Sequence, residues 1–381
     1  FNGGSLRFVG TSAVSTDRSF TLGVGDAAGL IVADGASISA TMQLGRVSSL
    51  DIAFLGSGSR SLTLGGANRG DNVLNLVLGD GDGGATSLTK MGNGTWVMDR
   101  DNTFTGETLV LAGVLATTTN GAFGAAGGAG VVIGGGTSGA NTLGGTNATL
   151  DLRGVNYTEV EQILLAGGTL AASTGTSNWA GSVFVTGNSN IFVGDDAVLT
   201  LNTAPGTVLG GASPIVQLGN GTLVLSSRAD VSTRDTQATA QHTVQAGTLR
   251  LDYTNNDFSK LSDGATLTLG GSRLGGALQL AGNGTPGFPA EHVEVVSGVT
   301  LGAGANSITR TSGDAILRMN AITRNAGATL NFGAEDLAST DTNNVVGILG
   351  AWATLGASDW ATKSMINDCL LYTSDAADEE D

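Results

Sequence analysis

The chain has 381 residues, of which 62 are glycine and only 4 proline; 13% of residues are charged and the net charge is −16. Low charge density with ample apolar side chain excludes a collagen-like or highly charged disordered chain, since enough surface can be buried to offset chain ordering. The acidic balance leaves no basic stripe for nucleic acid or for an anionic membrane, and no apolar run approaches the roughly eighteen residues of a spanning helix.

Phe1 is preceded by neither an initiator Met nor a basic-then-apolar leader, so the sequence reads as an internal fragment whose export signal lies upstream or has been removed. From Leu6 onward a triplet recurs in which leucine or phenylalanine flanks one residue. Its first residues are Leu6, Phe20, Leu62, Leu74, Leu76, Leu109, Leu150, Leu199, Leu223, Leu249, Leu267, Leu278 and Leu330. The central residue is polar except at Val77, Val110 and Val224. Period-two alternation predicts short strands with one face buried, and it directs Leu109, Leu223 and Leu267 inward. Glycine closes many runs, as in Leu64-Gly65, Leu269-Gly270 and Phe332-Gly333.

The pattern continues without a helical stretch or boundary for far longer than the one or two hundred residues of a sandwich or barrel. It predicts an all-β β-solenoid of stacked short strands, with coils of roughly 20–30 residues and a rod on the order of 60–80 Å.

In chain order, Asp80-Gly81-Asp82-Gly83-Gly84 is the best calcium candidate, because alternating carboxylates and glycines curl oxygens around an ion; it lacks the EF-hand pattern and reads as a turn after a strand over 73–78. Trp96, in phase with Met98, reads as core. Gly134-Gly135-Gly136 lacks the lysine of a phosphate loop. Asp151 with Arg153, and Glu159 with Glu161, share strand parity and read as outward polar pairs. A polysaccharide-active β-helix enzyme would need such groups gathered in one groove. Trp179 is either a carbohydrate platform or core. Asp195-Asp196 reads as a turn. His242 reads as an exposed strand-end residue, and His292, beside Glu291, as part of a charged loop entering a strand. The Asn-x-Thr triplets at Asn93, Asn147, Asn156, Asn220 and Asn283 read as turn chemistry. No catalytic, cofactor-binding or metal residue is assigned and no cofactor is expected.

Two segments repeat most clearly. One runs from Lys90-Met91-Gly92-Asn93-Gly94-Thr95-Trp96 through Asn102-Thr103-Phe104-Thr105-Gly106 to Ala112-Gly113-Val114-Leu115; the other from Gln217-Leu218-Gly219-Asn220-Gly221-Thr222-Leu223 to Ala246-Gly247-Thr248-Leu249. The first resembles the autotransporter-associated β-strand repeat, also called the passenger-associated transport repeat, at Lys90, Gly92, Gly94, Thr95, Asn102, Phe104, Thr105, Gly106, Ala112, Gly113 and Leu115. The second lacks the lysine and the central asparagine-aromatic element. The resemblance implies a right-handed parallel β-helix, a bacterial passenger fragment at the cell surface or beyond, and repeats that assist secretion and folding. It implies a non-enzymatic, adhesin-like stalk with a host-surface, matrix or polysaccharide partner. Any translocator would lie outside this chain.

Residues 1–338 are expected to form the repeat region and 339–368 a further, truncated segment. The run Cys369-Leu370-Leu371-Tyr372-Thr373-Ser374-Asp375-Ala376-Ala377-Asp378-Glu379 resembles a translated sequencing-library adapter, so 369–381 is expected to be foreign.

Overall fold

The computed structural model describes residues 1–45, 51–135, 147–201, 204, 207, 209–211, 213–226, 241–255, 258–271, 274–283, 292–356, 359–363 and 371–373. No helix occurs among them. The chain divides into two units, Phe1–Phe192 and Val193–Asp381, and each is an all-β parallel β-helix.

In the first unit most strands fall in turn on two parallel sheets, while Thr21–Leu22 with Ala53–Phe54, and Asn156–Tyr157 with Thr176–Trp179, pair on further sheets. Arg60–Gly65 pairs with Thr86–Lys90, which pairs with Thr108–Val110, then Val131–Gly134, Ile163–Ala166 and Val183–Gly187. Asp71–Leu74 likewise leads to Thr95–Met98, Gly113–Thr117, Ala148–Arg153 and Thr169–Thr174. Each coil contributes a strand to each of these two sheets, so sheet neighbours are one coil apart. Register carries an inward column from Leu62 through Leu88, Thr108, Val131 and Ile163 to Val183, all nearly or fully buried.

The second unit repeats the principle. Leu199, Leu223, Leu249, Leu278, Ile308, Phe332 and Leu355 stand in register on successive strands, and none is more than 5% exposed. A second sheet joins Ile215–Leu218, His242–Val244, Thr266–Leu269, Gly298–Leu301 and Ala321–Arg324, and a third joins Val293–Val295, Ile316–Arg318 and Ala338–Ser339. After Ala353–Leu355 pairing turns antiparallel, with Asp359–Lys363 and then Leu371–Thr373.

Leu223 and Leu267 point inward as alternation predicts. Leu109 does not: Thr108 and Val110 are buried and Leu109 is half-buried on the outer side. With Val110 between two leucines both faces are apolar, so alternation alone sets no parity, and a one-residue shift turns every side chain over. Register decides, placing Thr108 beside Leu88 and Val110 beside Lys90. Leu6 is also 41% exposed. The strand expected over 73–78 is Asp71–Leu74, although Leu76 and Leu78 remain buried beyond its end.

Truncating a column residue should open a cavity that rigid neighbouring coils cannot refill. Leu249→Ala is expected to lower unfolding free energy by about 2–5 kcal/mol, whereas Thr300→Ala, on an outward position, should change it by less than about 0.5 kcal/mol; urea unfolding of both variants measures the difference.

Candidate functional site

The first repeat segment closes around Lys90. This lysine ends the strand Thr86–Lys90 with its side chain inward, in register with Leu64 on one side and Val110 on the other, and it is fully buried. Nζ donates to the carbonyls of Met91 at 2.9 Å, Gly92 at 2.7 Å and Ala112 at 2.9 Å. Three N–H groups thus meet three carbonyls, two at Lys90's own turn and one on the next coil. Burial pushes the ammonium down to about 8, which still leaves it charged at neutral pH, the form with a donor for every acceptor.

Glycine is required where the two turns touch. Gly113 has φ of +68°, and a Cβ there would stand 2.4 Å from the carbonyl oxygens of Gly92 and Gly94 and 2.7 Å from Nζ. An alanine would displace the cage itself.

Asn102 ties three coils together. Its Oδ1 accepts from the Leu78 N–H at 2.8 Å, and its Nδ2 donates to the Ala122 carbonyl at 2.6 Å and to that of Arg100 at 3.1 Å. Phe104 and Trp96 are fully buried, and Trp96 Nε1 donates to the Gly65 carbonyl at 2.9 Å, in accord with its assignment to the core. Asp80, the calcium candidate, accepts from Thr86 N at 2.7 Å, Thr105 N at 3.1 Å and Thr105 Oγ1 at 2.6 Å, clamping the segment from the preceding coil. Asp82 accepts from the Gly58 N–H through its carbonyl.

The carboxylate pairs fall into two separate clusters. Asp151, expected outside, is only 4% exposed and accepts from Arg153 Nε at 2.8 Å, Ser173 Oγ at 2.8 Å and Ser173 N at 3.0 Å; Arg153 also reaches Asp71 at 3.0 Å. Its burial follows from these donors, which replace water. Glu159 and Glu161 share no strand, because 158–162 is an irregular loop between Asn156–Tyr157 and Ile163–Ala166. Glu159 accepts from Asn120 at 3.4 Å. Glu161 is 3% exposed, with one oxygen accepting from the Tyr157 hydroxyl at 3.3 Å and the other buried without a partner. Burial raises its carboxyl to about 8, and the same burial, with the Glu161 charge, raises the Tyr157 phenol.

Trp179 belongs to this core: it is fully buried and stacked at 4.5 Å on Tyr157, which stacks at 5.6 Å on Phe123. Asp195-Asp196 forms the expected turn, Asp196 adopting φ of +60°. Asn93, Asn147 and Asn220 lie in bends or turns, but Asn156 starts a strand and accepts from Asn178 at 2.9 Å. Cys369, Glu291 and Gly136 lie outside the described residues.

Of the two histidines, His292 stands where expected, just before the strand Val293–Val295, whereas His242 does not. His242 is 5% exposed and sits inward between Ile215 and Leu267; burial pushes its imidazole down to about 4, hence neutral. The neighbouring Thr243 takes the outward position. His292 stacks on Tyr253 at 3.9 Å, and its Nε2 lies 3.3 Å from Glu294. Glu294, fully buried, accepts from the Tyr253 hydroxyl, from Lys260 N at 3.0 Å and from Leu261 N at 2.7 Å. Val293 and Val295 flank it, so alternation points Glu294 outward, and no sequence signal marks this buried carboxylate.

The family model of the passenger-associated-transport-repeat matches residues 88–116, the segment holding Lys90, Asn102 and Gly113. This part of the chain is thus similar to such a repeat. The adhesin BmaC autotransporter of Brucella suis biovar 1 (strain 1330) is 40% identical over 116 residues, 30% of this chain and 3% of that protein. The chain therefore corresponds to a small part of the length of the curated relative it matches.

Two outcomes follow from these geometries. Lys90→Met strips three carbonyls of their donor and is expected to cost about 3 kcal/mol, with Lys90→Gln costing roughly half of that, as measured by urea unfolding. Glu161 titrates near 8 when folded and near 4.5 when free, so its contribution is complete below about pH 4.5 and is lost as pH rises toward 8. Below about pH 6.5 this loss is offset by His242, lowered to about 4, whose burial as the neutral form stabilises more as pH rises toward its free value of 6.5. Thermal melts between pH 6.5 and 8 should therefore show declining stability in the native protein, and Glu161→Gln should flatten the decline.

Proposed function

We propose that this chain is part of the non-enzymatic passenger of a bacterial autotransporter, displayed extracellularly or at the outer-membrane surface, where it acts as a stalk with adhesin-like outer faces. The observation that carries the reading is the 88–116 repeat, whose lysine, asparagine and glycines hold one coil to the next. Likeness to an autotransporter named as an adhesin supports the same assignment. Its partner would be a host-surface, matrix or polysaccharide ligand met on the outer strands and loops, and its translocator would be carried outside this sequence. Residues 1–338 form the passenger-like region in this reading, 339–368 a further segment of it, and 369–381 an adapter-derived tail.

The physical logic of the repeat is directional. A coil emerging from a translocator cannot bury its inward face until a neighbour lies against it, because solenoid stability resides in the interfaces between coils. A side chain that bonds the turn of its own coil and the turn of the next sets register as soon as two coils are outside. The repeat is thereby a folding checkpoint as well as a stalk element.

Fusing the chain between an export signal and a β-barrel translocator in a Gram-negative host tests this reading. Surface-exposed, protease-resistant passenger is expected, together with cell adhesion to matrix-coated or epithelial surfaces above that of cells bearing the barrel alone. Lys90→Met should lower the protease-resistant fraction several-fold. Display without added adhesion would overturn the adhesin assignment, and failure of the native chain to reach the surface would overturn the passenger assignment.

A further inference from the structure

The second repeat segment rebuilds the lysine cage without its lysine. Gln217 occupies the place of Lys90: it precedes Leu218-Gly219-Asn220-Gly221 as Lys90 precedes Met91-Gly92-Asn93-Gly94, and it pairs with Val244 as Lys90 pairs with Val110. The flanking bonds are equivalent. Gln245 N donates to Gln217 O at 3.1 Å where Leu111 N donates to Lys90 O at 2.9 Å, and Thr248 N donates to Gly221 O at 3.0 Å where Val114 N donates to Gly94 O at 3.1 Å.

The glycine cradle is likewise preserved. Gly247 has φ of +74°, and a Cβ there would lie 2.6 Å from the Gly219 oxygen and 2.5 Å from that of Gly221, matching the approach at Gly113. The carbonyls that hold an ammonium in the first copy thus have counterparts in Leu218, Gly219 and Ala246. What stands among them differs. Gln217 is 2% exposed, and its Nε2 donates to the Thr248 carbonyl at 2.9 Å. Its Oε1 is buried with no hydrogen-bond partner. A neutral amide with an unpartnered buried oxygen therefore stands at the position that, 127 residues earlier in the sequence, is held by a positive charge.

We propose that Gln217 Oε1 and the carbonyls of Leu218, Gly219 and Ala246 bind a small monovalent cation, which takes the part of the Lys90 ammonium. Neutral carbonyl oxygens replace the hydration shell of sodium, potassium or ammonium. None of these four oxygens belongs to a carboxylate, so the set suits a single charge better than calcium or magnesium, whose sites draw on carboxylates. The ion binds the folded coil pair and not the unfolded chain, so it stabilises by mass action.

Thermal unfolding of the full chain in sodium, potassium, ammonium or tetramethylammonium chloride at one ionic strength tests the site, since tetramethylammonium supplies equal screening but is too large to enter. At least one small cation is expected to raise the melting midpoint by about 2–4 °C over tetramethylammonium. Gln217→Lys, which brings its own ammonium, should melt as high in tetramethylammonium as in the other salts. Crystals soaked in thallium(I) should show an anomalous peak within the four oxygens. Equal midpoints in all salts without such a peak overturn the proposal, as does a cation effect of the same size in Gln217→Lys. If that variant does not fold, the thallium position decides.

Discussion

A coil of this protein cannot close its core alone. Leu249 is covered by Leu223 before it and Leu278 after it, on strands about 4.8 Å apart that are joined by parallel main-chain hydrogen bonds. Burial and register are consequently the same constraint. Slipping one strand by a residue would turn Leu249 and Leu251 outward and bring Arg250 into the column, so a register error removes the hydrophobic driving force of a whole coil.

This dependence explains the buried polar side chains, which would otherwise be a cost. Asn72 accepts from Met42 N at 2.9 Å and donates to Thr95 O at 3.0 Å; Asn306 accepts from Gly276 N at 2.9 Å and donates to Thr329 O at 3.1 Å. Like Asn102, each reaches the coil before and the coil after through one amide. Leucine columns favour any apolar residue at their height, whereas an amide with fixed donor and acceptor accepts only one register. Lys90 does the same with three donors. Apolar columns supply stability, and these staples select among the stackings that would provide it.

The leucine alternation made the coil architecture legible where the central residue is polar, as at Leu249-Arg250-Leu251 and Leu267-Thr268-Leu269. It failed at Leu109-Val110-Leu111, where both faces are apolar. It also gave no sign of which polar residues become buried. Asp151 lies between two buried leucines yet is itself buried, because Arg153 and Ser173 reach it; Glu294 is fully buried beside the 42%-exposed Val293 because main-chain N–H groups of Lys260 and Leu261 point at it. Those donors lie more than thirty residues before Glu294, and no local pattern announces them. The repeat residues were readable as a motif, but the function of each atom was not: the spacing of Lys90 and Ala112 says nothing of a bond from Nζ to a carbonyl.

The sequence by itself determined the coil, since side-chain parity within a short strand and glycine at its end are properties of neighbours in the chain. Tertiary structure alone decided which polar groups lie inside and what they bind. Partners such as Lys90 and Ala112, or Gln217 and Thr248, meet only after a spacer of twenty to thirty residues has been wound and closed, and its length can change without altering either end.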